Sequence, residues 1–206
     1  MGKEKILNFR SEFKGGIRSG PKEKFMPLKS VQYNFMDKYA RFFYIEASRM
    51  GVPAKGLHIY QHANAVFQIK ILGLFPVVHA KGPRMDQGET VTVLNDLFFM
   101  APGALIDQRI QWEVLDELRV RAVFTNEHIC VRAEVDFDKE GKLTNFISYD
   151  RFETNGKEYH NYPWETPVLS YGDYNGYRLP ARARLIYRRP DGELSLIHIS
   201  EPTRPY

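Results

Sequence analysis

The sequence predicts a mainly β domain: an antiparallel curved sheet or incomplete barrel with one helical insertion near residues 86–100. Three observations predict it. Apolar and polar residues alternate with period two over most of the chain, the pattern of half-buried strands. One segment alone switches to helical spacing. Aromatic residues make up 14% of the chain, with 14 Phe, 12 Tyr and 2 Trp, and these suit pleated, half-buried surfaces or the walls of an apolar pocket.

The strands follow in order. In Ile6–Lys14, Leu7, Phe9 and Phe13 share one face, while Asn8, Arg10, Glu12 and Lys14 share the other. Gly15-Gly16 offers a bend or bulge, and Pro21 marks a turn. Phe25–Phe35 and Arg41–Met50 read as strands joined around Met36-Asp37-Lys38. Phe42, Phe43, Tyr44 and Ile45 place apolar groups on both faces, which predicts a central strand. Gly51–Gly56, with two glycines and a proline, reads as a loop. Leu57–Gln61 and Ala65–Leu72 read as a hairpin over His62-Ala63-Asn64, extended by Phe75–Ala80.

Helical spacing begins in Met85–Met100, where Val93, Leu94, Leu97, Phe98 and Met100 fit one face. Asp86 reads as the N-cap, with Glu89 three residues later completing a capping box. The β-branched Val91, Thr92 and Val93 favour a strand, but the cap signals and Pro102-Gly103 beyond the end decide for a helix. Alternation then returns in Ile110–Leu115, Arg119–Thr125, His128–Phe137 and Lys142–Phe152, with a tight turn at Asp138–Gly141. Tyr159–Val168 reads as irregular and Tyr177–Tyr187 as a strand. The turn Arg188-Arg-Pro-Asp-Gly192 should lead into one more.

Residues 1–193 are expected to form a single domain, since 206 residues without repeats or low-complexity linkers fit one core. The tail Leu194-Ser-Leu-Ile-His-Ile-Ser-Glu-Pro-Thr-Arg204 reads as translated sequencing adapter, with Pro205 and Tyr206 from the barcode beyond it. On this reading the native chain is truncated near Glu193, and function should rest on neither His198 nor Arg204.

Composition excludes several function classes. The net charge of +4 comes from basic residues interleaved with acids, which describes solvated faces better than a nucleic-acid surface. Cys130 is the only cysteine, so there is no internal disulfide and no cysteine-based zinc site. It reads as a small filler in a strand. Met1-Gly-Lys-Glu-Lys5 does not resemble a signal peptide, and no apolar run is long enough to span a bilayer. Phosphate-loop, dinucleotide, zinc-protease and nucleophile-elbow motifs are missing. No catalytic residue, metal ligand or cofactor is therefore assigned, and a non-enzymatic role is expected.

Among the histidines, His58 and His62 share a strand face with Tyr60, but neither an acid nor a third histidine supports a metal site. Arg151 aligns by alternation with Leu143, Ile147 and Tyr149. A charge among apolar neighbours must find a carboxylate or an anion, and Glu89 and Asp96 on the helix are its candidate partners. Trp112 and Trp164 read as core anchors. Trp164, in the proline-flanked Tyr162-Pro-Trp-Glu-Thr-Pro167, is the better pocket residue of the two.

From Ile6 to Glu193 the chain resembles a bacterial family known only as a domain of unknown function. The residues that carry the resemblance are Ser30–Phe35, Gly73–Val78, Gly88–Asp96, Ala101-Pro102, Leu105–Glu113, Asp150-Arg151 and Tyr162–Pro167. It implies a domain that often follows a small bundle of membrane helices and closes with a further strand pair. Met1 would then be a fragment edge, with membrane association supplied by a missing N-terminal region and the fragment itself soluble. The strand-rich halves around a helix are also similar to bacterial lipoprotein carriers.

The expected function is binding of an apolar or lipid-like ligand near a membrane, with Glu89, Arg151 and Trp164 lining the site. Two alternatives are an enzyme using Glu89 or Asp96 with Arg151, and a structural protein-interaction domain.

Overall fold

The computed structural model describes residues 7–18, 20, 22–49, 51–154, 157–174 and 176–203, of which 49 and 193–203 by backbone alone. The expected strand ends at Ile6 and Met50, the segment Met1–Lys5 and Arg204–Tyr206 lie outside the described residues. Strands β1 (Asn8–Ile17), β2 (Met26–Phe35), β3 (Ala40–Arg49), β4 (Val52–Gln61), β5 (Asn64–Ile71) and β6 (Phe75–Lys81) form an antiparallel meander. Helix α1 (Pro83–Met100) and a short 3-10 turn (Pro102–Ile106) lead into β7 (Ile110–Asp116), β8 (Arg119–Asn126), β9 (Ile129–Phe137) and β10 (Leu143–Ser148). A separate ribbon pairs β11 (Phe152–Thr154) with β12 (Tyr159–Asn161). The chain then runs through β13 (Trp164–Glu165), β14 (Val168–Tyr174), β15 (Tyr177–Arg189) and β16 (Gly192–Thr203).

The main sheet has the order β6-β5-β4-β3-β2-β1-β16-β15-β13-β10-β9-β8-β7, with β14 beside β15. It ends at β6 and β7 and is an open curved sheet, not a closed barrel. The predicted loop at Gly51–Gly56 is instead mostly strand, because β3 and β4 stay in register from Arg41↔Tyr60 to Arg49↔Val52. Gly56 stands in that ladder between Ile45 and Ile69.

The helix starts four residues earlier than its capping signals imply. Gly82 (φ 100°) makes the turn out of β6, and Pro83 opens the helix, where its missing N–H costs no hydrogen bond. Asp86 is not the N-cap; its Oδ1 accepts the Ala65 backbone N–H at 2.6 Å. Residues Gly88–Phe98 are all buried, on every side of the helix. This explains how Thr90–Val93 stay helical: burial outweighs their weak local preference. The Thr90 and Thr92 hydroxyls donate back to Asp86 O and Gly88 O.

The helix crosses the strands of the first meander. Asp86 lies over β5, Asp96 over β2, and Met100 over β1, where Ser11 Oγ donates to Met100 Sδ. The second half of the sheet folds over its other side: Asn95 Nδ2 donates to Thr166 Oγ1 at 2.6 Å, and Phe98 packs edge-on to Phe146. The halves also meet directly. Tyr39 stacks edge-on to Phe124, and Asn126 Nδ2 donates to Tyr60 Oη at 2.8 Å.

Strand register grades the concave face of β1–β5. The lowest cross-strand row is Phe9–Asn34–Arg41–Tyr60–Ala65, the next Ser11–Gln32–Phe43–His58–Phe67, and the third Phe13–Ser30–Ile45–Gly56–Ile69. The charged and amide side chains thus sit beneath α1. Phe13, Leu28, Phe43 and Ile45 form a second apolar cluster, separate from the main core, which α1 reaches only through Met100.

Strand β16 includes the stretch expected to be adapter-derived, and its ladders to β1 and β15 make the two meanders one continuous sheet. A chain ended at Glu193 leaves both partners as open edges. The cooperative thermal transition should then be lost or lowered by more than about 10 °C, with aggregation visible by light scattering. Cooperative unfolding within about 5 °C of the full chain would show that this pairing contributes little.

Candidate functional site

Glu89 and Asp96 stand two helical turns apart on one face of α1, so both point into the same interior. Opposite them, strand alternation turns Gln32 and Asn34 of β2, Arg41 of β3 and His58 of β4 inward. Arg41 organises the cluster with every guanidinium nitrogen. Nε donates to Asp96 Oδ2 at 2.8 Å, Nη1 to Glu89 Oε2 at 3.0 Å and Nη2 to Gln32 Oε1 at 3.1 Å. Its Cζ lies 4.6 Å from the Phe43 ring centroid. Asp96 Oδ2 also accepts from Gln32 Nε2 at 2.5 Å and Asn34 Nδ2 at 3.2 Å.

Glu89 faces both halves of the molecule. Oε2 meets Arg41 and lies 3.2 Å from His58 Nδ1, while Oε1 lies 3.6 Å from Arg151 Nη2. Burial pushes the Glu89 carboxyl up, but His58, Arg41 and Arg151 together outweigh it and hold it well below the usual carboxylate range. Burial pushes Asp96 up as well, and there it prevails over Arg41 and Asn34, so this carboxyl sits above its ordinary value. Two carboxylates on one helix face are thus driven in opposite directions by their surroundings.

His58 is pushed down by burial, against the opposing pull of Glu89, so the ring is neutral near pH 7. With Nδ1 facing a carboxylate, the proton belongs there and Nε2 is left as an acceptor. Nε2 is buried without a hydrogen-bond partner among the described residues. The ring packs edge-on to Phe67, with centroids 3.8 Å apart.

Arg151 approaches from the far half of the sheet. Its Nε donates to Thr92 Oγ1 at 3.1 Å, Nη1 donates to Tyr187 Oη, and Cζ lies 4.6 Å over the Trp164 ring. Tyr187 Oη in turn donates to Phe152 O at 2.9 Å. Trp164 is fully buried, packs edge-on to Phe146, and has no partner for its Nε1–H among the described residues. The structure therefore brings Glu89, Arg151 and Trp164 into one contiguous contact.

The route by which Arg151 turns inward differs from the sequence expectation. β10 ends at Ser148, its register slips after Leu143, and Tyr149 is exposed. A bend at Tyr149–Asp150, and not strand alternation, aims Arg151 at the helix. Of its two candidate partners, Glu89 is one; Asp96 belongs to Arg41. Arg41 itself escaped the sequence reading, although its alternation with Phe43 and Ile45 marks it as inward-facing. Other expectations also change. Trp112 is surface-exposed on β7 and Cys130 is exposed and fills no gap, while His62 sits in the β4–β5 turn, as the hairpin reading placed it. No cluster of His, Cys, Asp or Glu among the described residues has the make-up of a metal site.

Arg41→Met leaves the buried Asp96 without a cation and Glu89 with only Arg151 and His58, and should cost about 3–5 kcal/mol in urea unfolding. Adding Asp96→Asn should restore part of that loss. The pH dependence follows from the two directions. Glu89, depressed in the folded state, contributes stability that is complete above its ordinary 4.5 and is lost as pH falls below it. Asp96, raised in the folded state, makes stability decline as pH rises above its ordinary 3.8. Urea midpoints between about pH 3 and 6 should therefore show a flatter acid-side loss in Glu89→Gln, and the opposite change in Asp96→Asn.

Comparison with known proteins adds a family. A search of curated proteins returned no match. Among solved structures, the chain is similar to a LolA superfamily protein from Nitrosomonas europaea, at 8% identity over 96% of this chain and 84% of that one, with a TM-score of 0.48. The family of unknown function DUF6544 matches residues 1–199, nearly the whole chain, and the chain belongs to that family.

Proposed function

We propose that this domain binds an apolar or amphipathic ligand on the concave face of β1–β5, above α1. The observation that carries the reading is the grading of that face, from the Arg41–Glu89–Asp96 cluster beneath the helix to the separate apolar cluster of Phe13, Leu28, Phe43 and Ile45. A surface that is apolar at one end and polar at the other suits a ligand with a chain and a head. Three buried polar atoms support it: Ser30 Oγ, His58 Nε2 and Trp164 Nε1 have no hydrogen-bond partner among the described residues. Such atoms call for a water or a ligand atom.

In this reading Glu89 and Arg151 form the charged floor. Trp164 and His58 offer the ligand one donor and one acceptor. An enzyme built on Glu89 or Asp96 has less support, because the arginine and amide partners of these carboxylates hold them in place. A role beside a membrane rests on the family resemblance.

The test is titration with dansylundecanoic acid. Saturable, blue-shifted emission is expected, displaced by dodecanoate and weakened tenfold or more by Ile45→Asp in a variant whose circular dichroism is unchanged. Leu28→Ser, a smaller insult to the fold, should weaken it less. A chain that neither binds the probe saturably nor carries lipid in native mass spectrometry would overturn the reading.

A further inference from the structure

We infer that the outer face of β1–β5, together with the β5–β6 turn, docks on an anionic lipid surface. The register aligns Lys14, Lys29, Glu46, Lys55 and Lys70 in one cross-strand row over five adjacent strands. All five residues are exposed. Glu46 is the one acid in the row, and Lys14↔Lys29 and Lys55↔Lys70 are like charges placed directly opposite each other, an arrangement that destabilises a sheet. Glu46 approaches Lys55 only at 3.8 Å. A layer of anionic headgroups would relieve this repulsion.

The second observation is the turn beside that row. Leu72 and Gly73 are its central residues, with φ 55° and 71°, closed by the Leu74 N–H donating to Ile71 O at 3.1 Å. Turns of this kind take Asn, Asp or Gly at the first central position. A leucine there accepts a strained backbone while its side chain stands in solvent. Leu72 is 54% exposed, Leu74 75%, Phe75 61% and Val77 51%. Val52 joins them from the neighbouring turn, 44% exposed, where Leu72 N–H donates to Pro53 O at 2.9 Å.

An apolar tip beside a lysine row matches a membrane interface, where side chains enter the acyl boundary and ammonium groups meet phosphates. A nucleic acid would satisfy the lysines and leave Leu74 and Phe75 without a partner. The same end of β1–β3 carries the apolar part of the concave face. That the rim would present a ligand opening to the membrane rests on the function proposed above; the docking does not.

The test is sedimentation of the full chain with vesicles of phosphatidylcholine alone and of phosphatidylcholine with phosphatidylglycerol at about three to one. Binding is expected only with phosphatidylglycerol, and it should weaken as salt rises. Lys55→Gln with Lys70→Gln, and separately Leu74→Ser with Phe75→Ser, should each weaken it tenfold or more while circular dichroism stays unchanged. Ile45→Asp should leave vesicle binding intact, which separates this proposal from ligand binding. Equal binding to both vesicles, or variants that bind like the parent, would overturn it. So would a self-association in sedimentation velocity that Leu74→Ser with Phe75→Ser abolishes, because the tip would then belong to a second copy.

Discussion

The Arg41–Glu89 contact is the constraint on which the rest of this fold depends. A helix buried on every side must be polar somewhere here, because Glu89, Asn95 and Asp96 lie in the interior with it. Isolated buried charges are prohibitive, and a buried cluster is tolerable only when each member is neutralised and hydrogen-bonded. Arg41 meets that condition for both carboxylates at once, and Glu89 extends it to Arg151 on the other half of the sheet. Charge complementarity thus sets the rotation of α1 about its axis, where a wholly apolar helix in the same place could slide or turn. This is the specificity role of buried polar groups, at a cost in stability.

With α1 fixed low on the concave face, that face divides into two chemistries. Beneath the helix lie charged and amide side chains; above it lie Phe13, Leu28 and Ile45. The outer face of the same strands carries the lysine row. One curved half-sheet therefore presents an apolar inner wall and a basic outer wall, separated by one strand thickness. The alternation of side chains in a strand produces both from the same residues' neighbours. Membership of DUF6544 extends the question to a family whose function is likewise unknown.

How much of the site was legible depended on the range of the signal. Glu89, Arg151 and Trp164 stood out because a charge or a tryptophan in an apolar or proline-flanked context is locally anomalous. Arg41 carried an equivalent local signal, alternating with Phe43 and Ile45, yet the run of apolar residues from Phe42 masked it. The alternation argument turned Arg151 inward, where it lies, but by a wrong path: a register slip and a bend intervened, and Tyr149, which should have pointed inward with it, is exposed. The capping box failed for a similar reason, since Asp86 and Glu89 were claimed by partners on β5 and on β3–β4.

Local periodicity alone established the mainly β class, the single helix between two strand-rich halves and most strand positions, because a strand or helix face is written in residues two to four apart. With one cysteine in the chain, composition alone excluded an internal disulfide. Tertiary structure decided what lies far apart in the chain. Interleaved in sequence with acids, the lysines at 14, 29, 55 and 70 fall into one row only through strand register. Asp96 goes to Arg41 and Glu89 is shared between Arg41 and Arg151 only once the sheet curls over the helix. Pairing between distant residues is set by which backbone ladders form and how they bend, and no window of neighbouring residues records that choice.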